Sequence, residues 1–225
     1  MERFVAIRGA AVPFLECDID TDQISPGTEL LRSVDDGYDR WAQTLFAQHR
    51  YRQDGSPNPN YILNKAPWSK AVILLAGRNF GCGSSREWAV KALRGFGFRS
   101  IIAPSFGEIF YGNCFRHGIL PVVLAEEQIA RLAAQVIESG GTENVSVDLA
   151  AQKIIGPEGI ALTFDTPELF RRMLLHGLDE VEVTLSFEAE IGRFRELDAA
   201  KRPWAYLSRR ARGDALNDNT DLARS

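Results

Sequence analysis

Cysteine is scarce in this chain: Cys17, Cys82 and Cys114 are three in 225 residues, an odd number at wide separations. That excludes a disulfide framework and a self-contained zinc or iron–sulfur site, both of which need closely spaced or evenly paired thiols. Histidine is equally sparse, and His49, His117 and His176 show no i, i+4 pairing that could clasp an ion. His117 and His176 each precede a glycine, which places them as favourable cations at helix C-termini. No apolar run approaches membrane-spanning length, and Met1 to Arg8 carries charges inside any apolar segment a leader would need, so a cytoplasmic address is expected. Positive charge is not in excess: the net charge is −4, and the basic residues between Arg193 and Arg212 are mixed with acids, which argues against a nucleic-acid binder. What remains, 45% hydrophobic and 25% charged residues, is the composition of an ordinary globular chain.

The apolar run Ala71 to Ala76 has the length and β-branched content of a strand buried on both faces, and it stops at Gly77. Beyond the helix that follows, Ser100 to Ala103 reads as a second buried strand, and the β-loop-α-β order makes the pair parallel. Pro104-Ser105 introduces a helix with Phe106, Ile109, Phe110 and Cys114 on one side, ended by Gly118; Ile119 to Leu124 is a third strand. Ile129, Leu132, Ala133, Val136 and Ile137 keep the spacing of an amphipathic helix up to Gly140-Gly141. The character then changes. Segments starting at Val145, Lys153 and Ile160 are short strands of an antiparallel meander, and a second, smaller sheet is expected. Pro167 starts a helix, Val181 to Ser186 alternates as a half-buried strand, and Phe187 to Leu197 returns to helical spacing. The expected organisation is one α/β domain over residues 1–200, with a polar insertion or lid at 33–67 and a flexible tail at 201–225.

Chemistry concentrates at Asn79-Phe-Gly-Cys-Gly-Ser-Ser-Arg-Glu87, directly after the first buried strand. Ser84 and Glu87 stand in the S-x-x-E relation of a capping box, so Ser84 is expected to open a helix, with Glu87 anchoring the cap or Arg86. Backbone N–H groups and the positive end of the helix dipole converge there. Gly83 allows a ligand close to the backbone, and Arg86 adds a fork matched to a carboxylate or phosphate. In that field a serine alkoxide is stabilised enough to act as a base. Named phosphate loops do not fit: the lysine of a P-loop is missing, and Arg86 stands where a dinucleotide fingerprint needs its third glycine. An esterase elbow around Ser85 fails because Glu87 replaces its second glycine. Nearer the N-terminus, Asp18, Asp20 and Asp22 alternate as in a calcium loop, but Gln23 occupies the position of that loop's glycine.

With these residues laid out, the chain resembles the small subunits of 3-isopropylmalate dehydratase, relatives of the swivel domain of aconitase. The matching stretches are Asp20-Thr-Asp-Gln-Ile-Ser-Pro, Pro57 to Asn64, Ile73 to Glu87, Ile102 to Asn113, Leu120-Pro and the Gly177-Leu-Asp region. The resemblance implies an aconitase-like swivelling β/β/α fold with a mostly parallel core sheet and a smaller strand-rich part. It implies a hydro-lyase of leucine biosynthesis, active only with a large subunit whose cysteines hold a [4Fe-4S] cluster, and no cofactor in this chain. The family's serine base corresponds to Ser84, its carboxylate contacts to Ser85 and Arg86 with the Gly83 backbone, and Glu87, Asp20, Asp22 and Asn79 are implied as supporting residues. Trp88 stands where the family usually has histidine, and Gly27-Thr28-Glu29 where a basic and an aromatic residue are common. These departures leave 2-methylmalate or 2,3-dimethylmalate as alternative substrates; a non-catalytic dicarboxylate-binding module using the same helix N-terminus is the alternative from another class.

Overall fold

The apolar runs fold as strands because each can be covered on both faces. A computed structural model describes residues 1–27, 37–84 and 86–206. The chain opens with β1 (Ala6–Gly9), β2 (Ala11–Phe14) and a one-turn α1 (Thr21–Ile24), then α2 (Tyr38–Thr44) and α3 (Ala47–Arg50). Next come β3 (Ile73–Ala76), α4 (Glu87–Phe96), β4 (Ser100–Ala103), α5 (Glu108–Arg116), β5 (Leu120–Val123) and α6 (Glu126–Glu138). The strands β6 (Val145–Asp148), β7 (Lys153–Ile155) and β8 (Ala161–Thr163) precede α7 (Glu168–His176).

Strands β2-β3-β4-β5 lie side by side in that order, all parallel. Successive side chains of β3 point to opposite faces: Ile73 and Leu75 enter one core cluster, Leu74 and Ala76 the other. The second cluster is completed by Ala89, Val90 and Leu93 of α4 and by Phe110 and Cys114 of α5. The first collects Ile129, Leu132 and Val136 of α6, Val147 and Ile154 of the meander, and Leu174 of α7. The meander forms the expected antiparallel sheet, order β1-β6-β7-β8, and it gains a fourth strand at its edge from the N-terminus.

Several expectations change. Ile109 and Ile137 are 54% and 57% exposed, so each lies at the edge of its helix's apolar stripe rather than in the core. Val181 to Ser186 is not a strand: α8 (Glu180–Leu185) is helical, with Val183 buried and Val181 and Leu185 exposed. A strand would have placed those three alternate residues on one face, whereas a helix turns Val183 away from the other two. The polar segment after residue 36 carries α2 and α3 and buries Leu45, Phe46 and Leu63 against the α4 side of the sheet. A compact unit spans Met1–Glu180; a second begins at Val181 and contains α9 (Glu188–Lys201). The tail expectation falls mostly on residues 207–225, outside the described ones.

Candidate active site

Three loops leave the C-terminal ends of β2, β3 and β4 side by side, the edge at which open α/β sheets take their ligands. The central loop, after β3, is sewn to both neighbours. On one side Gly81 N–H donates to Ile19 C=O at 2.8 Å and Thr21 N–H to Cys82 C=O at 3.0 Å. On the other, Phe80 N–H donates to Ser105 C=O at 3.1 Å and Gly107 N–H to Phe80 C=O at 2.9 Å. Asn79 supports this directly: its backbone N–H donates to Ser105 Oγ at 2.8 Å and its amide Nδ2 to Asp18 Oδ1 at 2.9 Å.

Gly81 sits where no side chain fits, at φ +73, and a Cβ there would run into the ring of Phe110. Gly81→Ala should therefore destabilise the chain by about 2–4 kcal/mol, combining left-handed backbone strain with overpacking. Urea denaturation of the purified chain checks this, and a loss below about 1 kcal/mol would mean that Phe110 moves aside freely.

The helix does not open at Ser84. Its first residue is Glu87 and its N-cap is Arg86, which has no acceptor to offer, so the Ser84–Glu87 capping box is absent. The reason is tertiary. The loop is pinned to residues 19–21 by the Asp20–Cys82 bridge, and Ser84 C=O accepts from Thr21 Oγ1 at 3.0 Å, so coiling starts only afterwards. A capping box does form nearby, on α1: Asp20 Oδ1 accepts from Gln23 N–H at 2.7 Å and Gln23 Oε1 accepts from Asp20 N–H at 2.8 Å. Gly83 (φ +91) and Ser84 are exposed, so the turn faces solvent. Ser85, Thr28 and Glu29 lie outside the described residues.

Arg86 is held from several directions. Its Nη1 pairs with Asp22 Oδ1, its guanidinium carbon lies 5.5 Å from the centre of the Trp88 ring, and a side chain on Gly27 would come within 3.2 Å of Nη1. A contact with the ring face engages the cation's charge and leaves N–H donors other than the Nη1–Asp22 hydrogen bond for an anion. The Asp22 partner is half exposed, so this ion pair is weak and can be exchanged for another anion. Asp20 caps and Asp22 pairs, while Asp18 binds Arg78 at 3.3 Å, so the three acids turn to different partners.

Glu87 anchors neither the cap nor Arg86. Its Oε1 lies 2.7 Å from Nε2 of His117, and that hydrogen bond holds its carboxyl below the usual carboxylate range. His117 follows α5 as its C-cap, as expected, but not as a favoured cation: burial pushes its imidazole below the ordinary histidine value although Glu87 pulls the other way. Nothing in the sequence marks this pair, which is thirty positions apart; only the packing of α5 against α4 joins it. His176 does end α7, before Gly177 in the left-handed conformation. Burial, then Asp20 and Asp18, raise the Cys82 thiol, which keeps it protonated and unreactive. Among the described residues no three His, Cys, Asp or Glu side chains come together as a metal site, and Cys17, Cys82 and Cys114 are free. Among the described residues no helix is long and apolar enough to cross a membrane.

Fold and site together define a swivel-type domain of the aconitase class, and residues 1–127 match the family model described as the aconitase C-terminal domain. The chain is 44% identical over 205 residues to a 3-isopropylmalate dehydratase small subunit of Agrobacterium fabrum, covering 91% of this chain and all of that one. It is 44% identical over 209 residues to that of Cupriavidus necator, covering 92% and 99%. A crystal structure of 3-isopropylmalate dehydratase from Methanocaldococcus jannaschii superposes with a TM-score of 0.57 at 28% identity, covering 84% of this chain and 98% of the other. The chain belongs to the family of 3-isopropylmalate dehydratase small subunits.

Proposed function

We propose that this chain is the small subunit of a dehydratase that interconverts 2-isopropylmalate and 3-isopropylmalate by dehydration and rehydration, a step of leucine biosynthesis. The observation that supports this most is Arg86, held by Asp22 and Trp88 at the start of α4 beside an exposed Ser84. Ser84 is the base and Arg86 the carboxylate contact, with Ser85 and the Gly83 backbone completing the cradle. Oγ of Ser84 takes the proton from the carbon beside a carboxylate, the hydroxyl leaves the neighbouring carbon, and a double bond forms between the two. Water returning with the opposite regiochemistry moves the hydroxyl.

As the proton leaves, negative charge spreads into the adjacent carboxylate. Arg86 and the helix N-terminus therefore bind the transition state better than the ground state. Glu87, turned onto His117, is kept from repelling a dianionic substrate. A [4Fe-4S] cluster in a separate large subunit supplies Lewis-acid assistance to the departing hydroxyl when bound.

A site so open binds substrate poorly alone. Neither subunit by itself should turn over 3-isopropylmalate, and mixing them should restore activity, best with the isopropyl compound among a panel of alkylmalates. Preference for 2-methylmalate or 2,3-dimethylmalate would reassign the substrate. Calorimetric binding of the dicarboxylate by this chain alone, without turnover in the mixture, would identify a sensing module instead.

A further inference from the structure

Consecutive residues at the start of α4 are tied in opposite directions. Arg86 reaches Asp22 on α1, whereas Glu87 reaches His117 at the end of α5. Behind His117 stands Tyr38, the first residue of α2, its hydroxyl 3.0 Å from Nδ1 and its ring meeting the imidazole edge to face at 6.2 Å. The His117 side chain is only 11% exposed. Its two nitrogens are therefore served by two fixed partners, and a neutral ring satisfies both: Nε2–H donates to the Glu87 carboxylate and Nδ1 accepts from the Tyr38 hydroxyl.

The charged groups around the ring are Glu87 and Lys91 on α4 and Arg116 on α5, with Arg94 of α4 over the Tyr38 ring at 5.7 Å. Burial and the Lys91 and Arg116 cations oppose a further charge, so His117 stays neutral until below the ordinary histidine range. Once charged, it places an N–H at Nδ1 against the Tyr38 hydroxyl, and that hydrogen bond must break or reverse.

The arrangement matters because α4 receives no side-chain cap from its N-cap residue. What aims its first turn is cross-linking to neighbouring elements. We propose that His117, braced by Tyr38 and acting through Glu87, is a positioning residue that fixes the first turn of α4 and thereby aims Arg86 and the adjacent N–H groups at the substrate carboxylate. This rests on the roles assigned above to Ser84 and Arg86.

The test uses the reconstituted two-subunit complex with 3-isopropylmalate. His117→Leu should lower kcat/KM by roughly tenfold or more at about pH 7.5, because a small misplacement of an oriented contact is enough for such a loss. His117→Gln keeps an N–H for Glu87 and an oxygen for Tyr38 but cannot titrate. It should recover to within about threefold of the parent and lose the His117-dependent fall in kcat/KM below about pH 6.5. A purely structural role would not move that pH profile. An H117L complex within about twofold of the parent, or an H117Q profile with an unchanged acid limb, overturns the inference. If H117L fails to assemble, the H117Q profile decides alone. Ser84→Ala measured in parallel separates the two levels: retained turnover there defeats the site assignment itself, while its loss beside unaffected His117 variants defeats only the positioning role.

Discussion

Ser84→Ala, assayed in the assembled complex, is expected to lower kcat by about 10²–10⁴-fold with little change in KM. On the proposed role of Ser84 as base, the size follows from losing the proton acceptor while the carboxylate contacts stay. Ser84 is held by its backbone carbonyl, which accepts from Thr21 Oγ1, so removing the side-chain oxygen leaves the loop sewn in place. Folding and subunit association should be unaffected, which makes the loss attributable to chemistry. Single-turnover measurements would localise it to proton abstraction. Near-normal turnover would sink the base assignment.

Arg86→Lys should cost about 10²–10³-fold in kcat/KM, on the order of 3–4 kcal/mol. Lysine preserves the charge but not the planar fork that can grip a carboxylate with two donors while facing the Trp88 ring, so the exchange is not conservative. Because charge on the carboxylate grows in the transition state, kcat should fall as well as KM rise. Asp22→Asn distinguishes a direct role for Arg86 from a merely structural one: it removes the resting ion pair while leaving the guanidinium available, so its effect should be much smaller than that of Arg86→Lys. Equal losses in the two variants, or activity within about threefold for Arg86→Lys, would contradict a direct carboxylate contact.

Much of the architecture is legible in the chain because burial on two faces leaves an unmistakable residue signature. Ile73–Ala76, Ser100–Ala103 and Leu120–Val123 are short apolar runs separated by helical spacing, and that combination permits little except a parallel sheet covered on both sides. The meander was readable for a similar reason, from short strands between glycine and proline turns. The Val181 to Ser186 segment misled because alternation records chemistry every second residue, not the neighbours that would make a ladder; with no strand among the described residues to pair with, it coils. The N-terminal strand at the sheet edge was missed because Ala6–Gly9 is short and carries Arg8 and Gly9, too little apolar character to announce itself.

The site divides along the same line. By itself the sequence determined that a serine, an arginine and glycines follow a buried strand, at the edge where open α/β sheets take ligands, and that the three cysteines stand far apart. Which residue caps, and what Glu87 does, depended on partners distant in the chain. Asp20 bridges to Cys82 and Thr21 holds the Ser84 carbonyl, the helix starts at Glu87, and His117 draws the Glu87 carboxylate away from Arg86. Local motifs record what a residue is able to bond; only packing decides which of its possible partners lies within three ångströms.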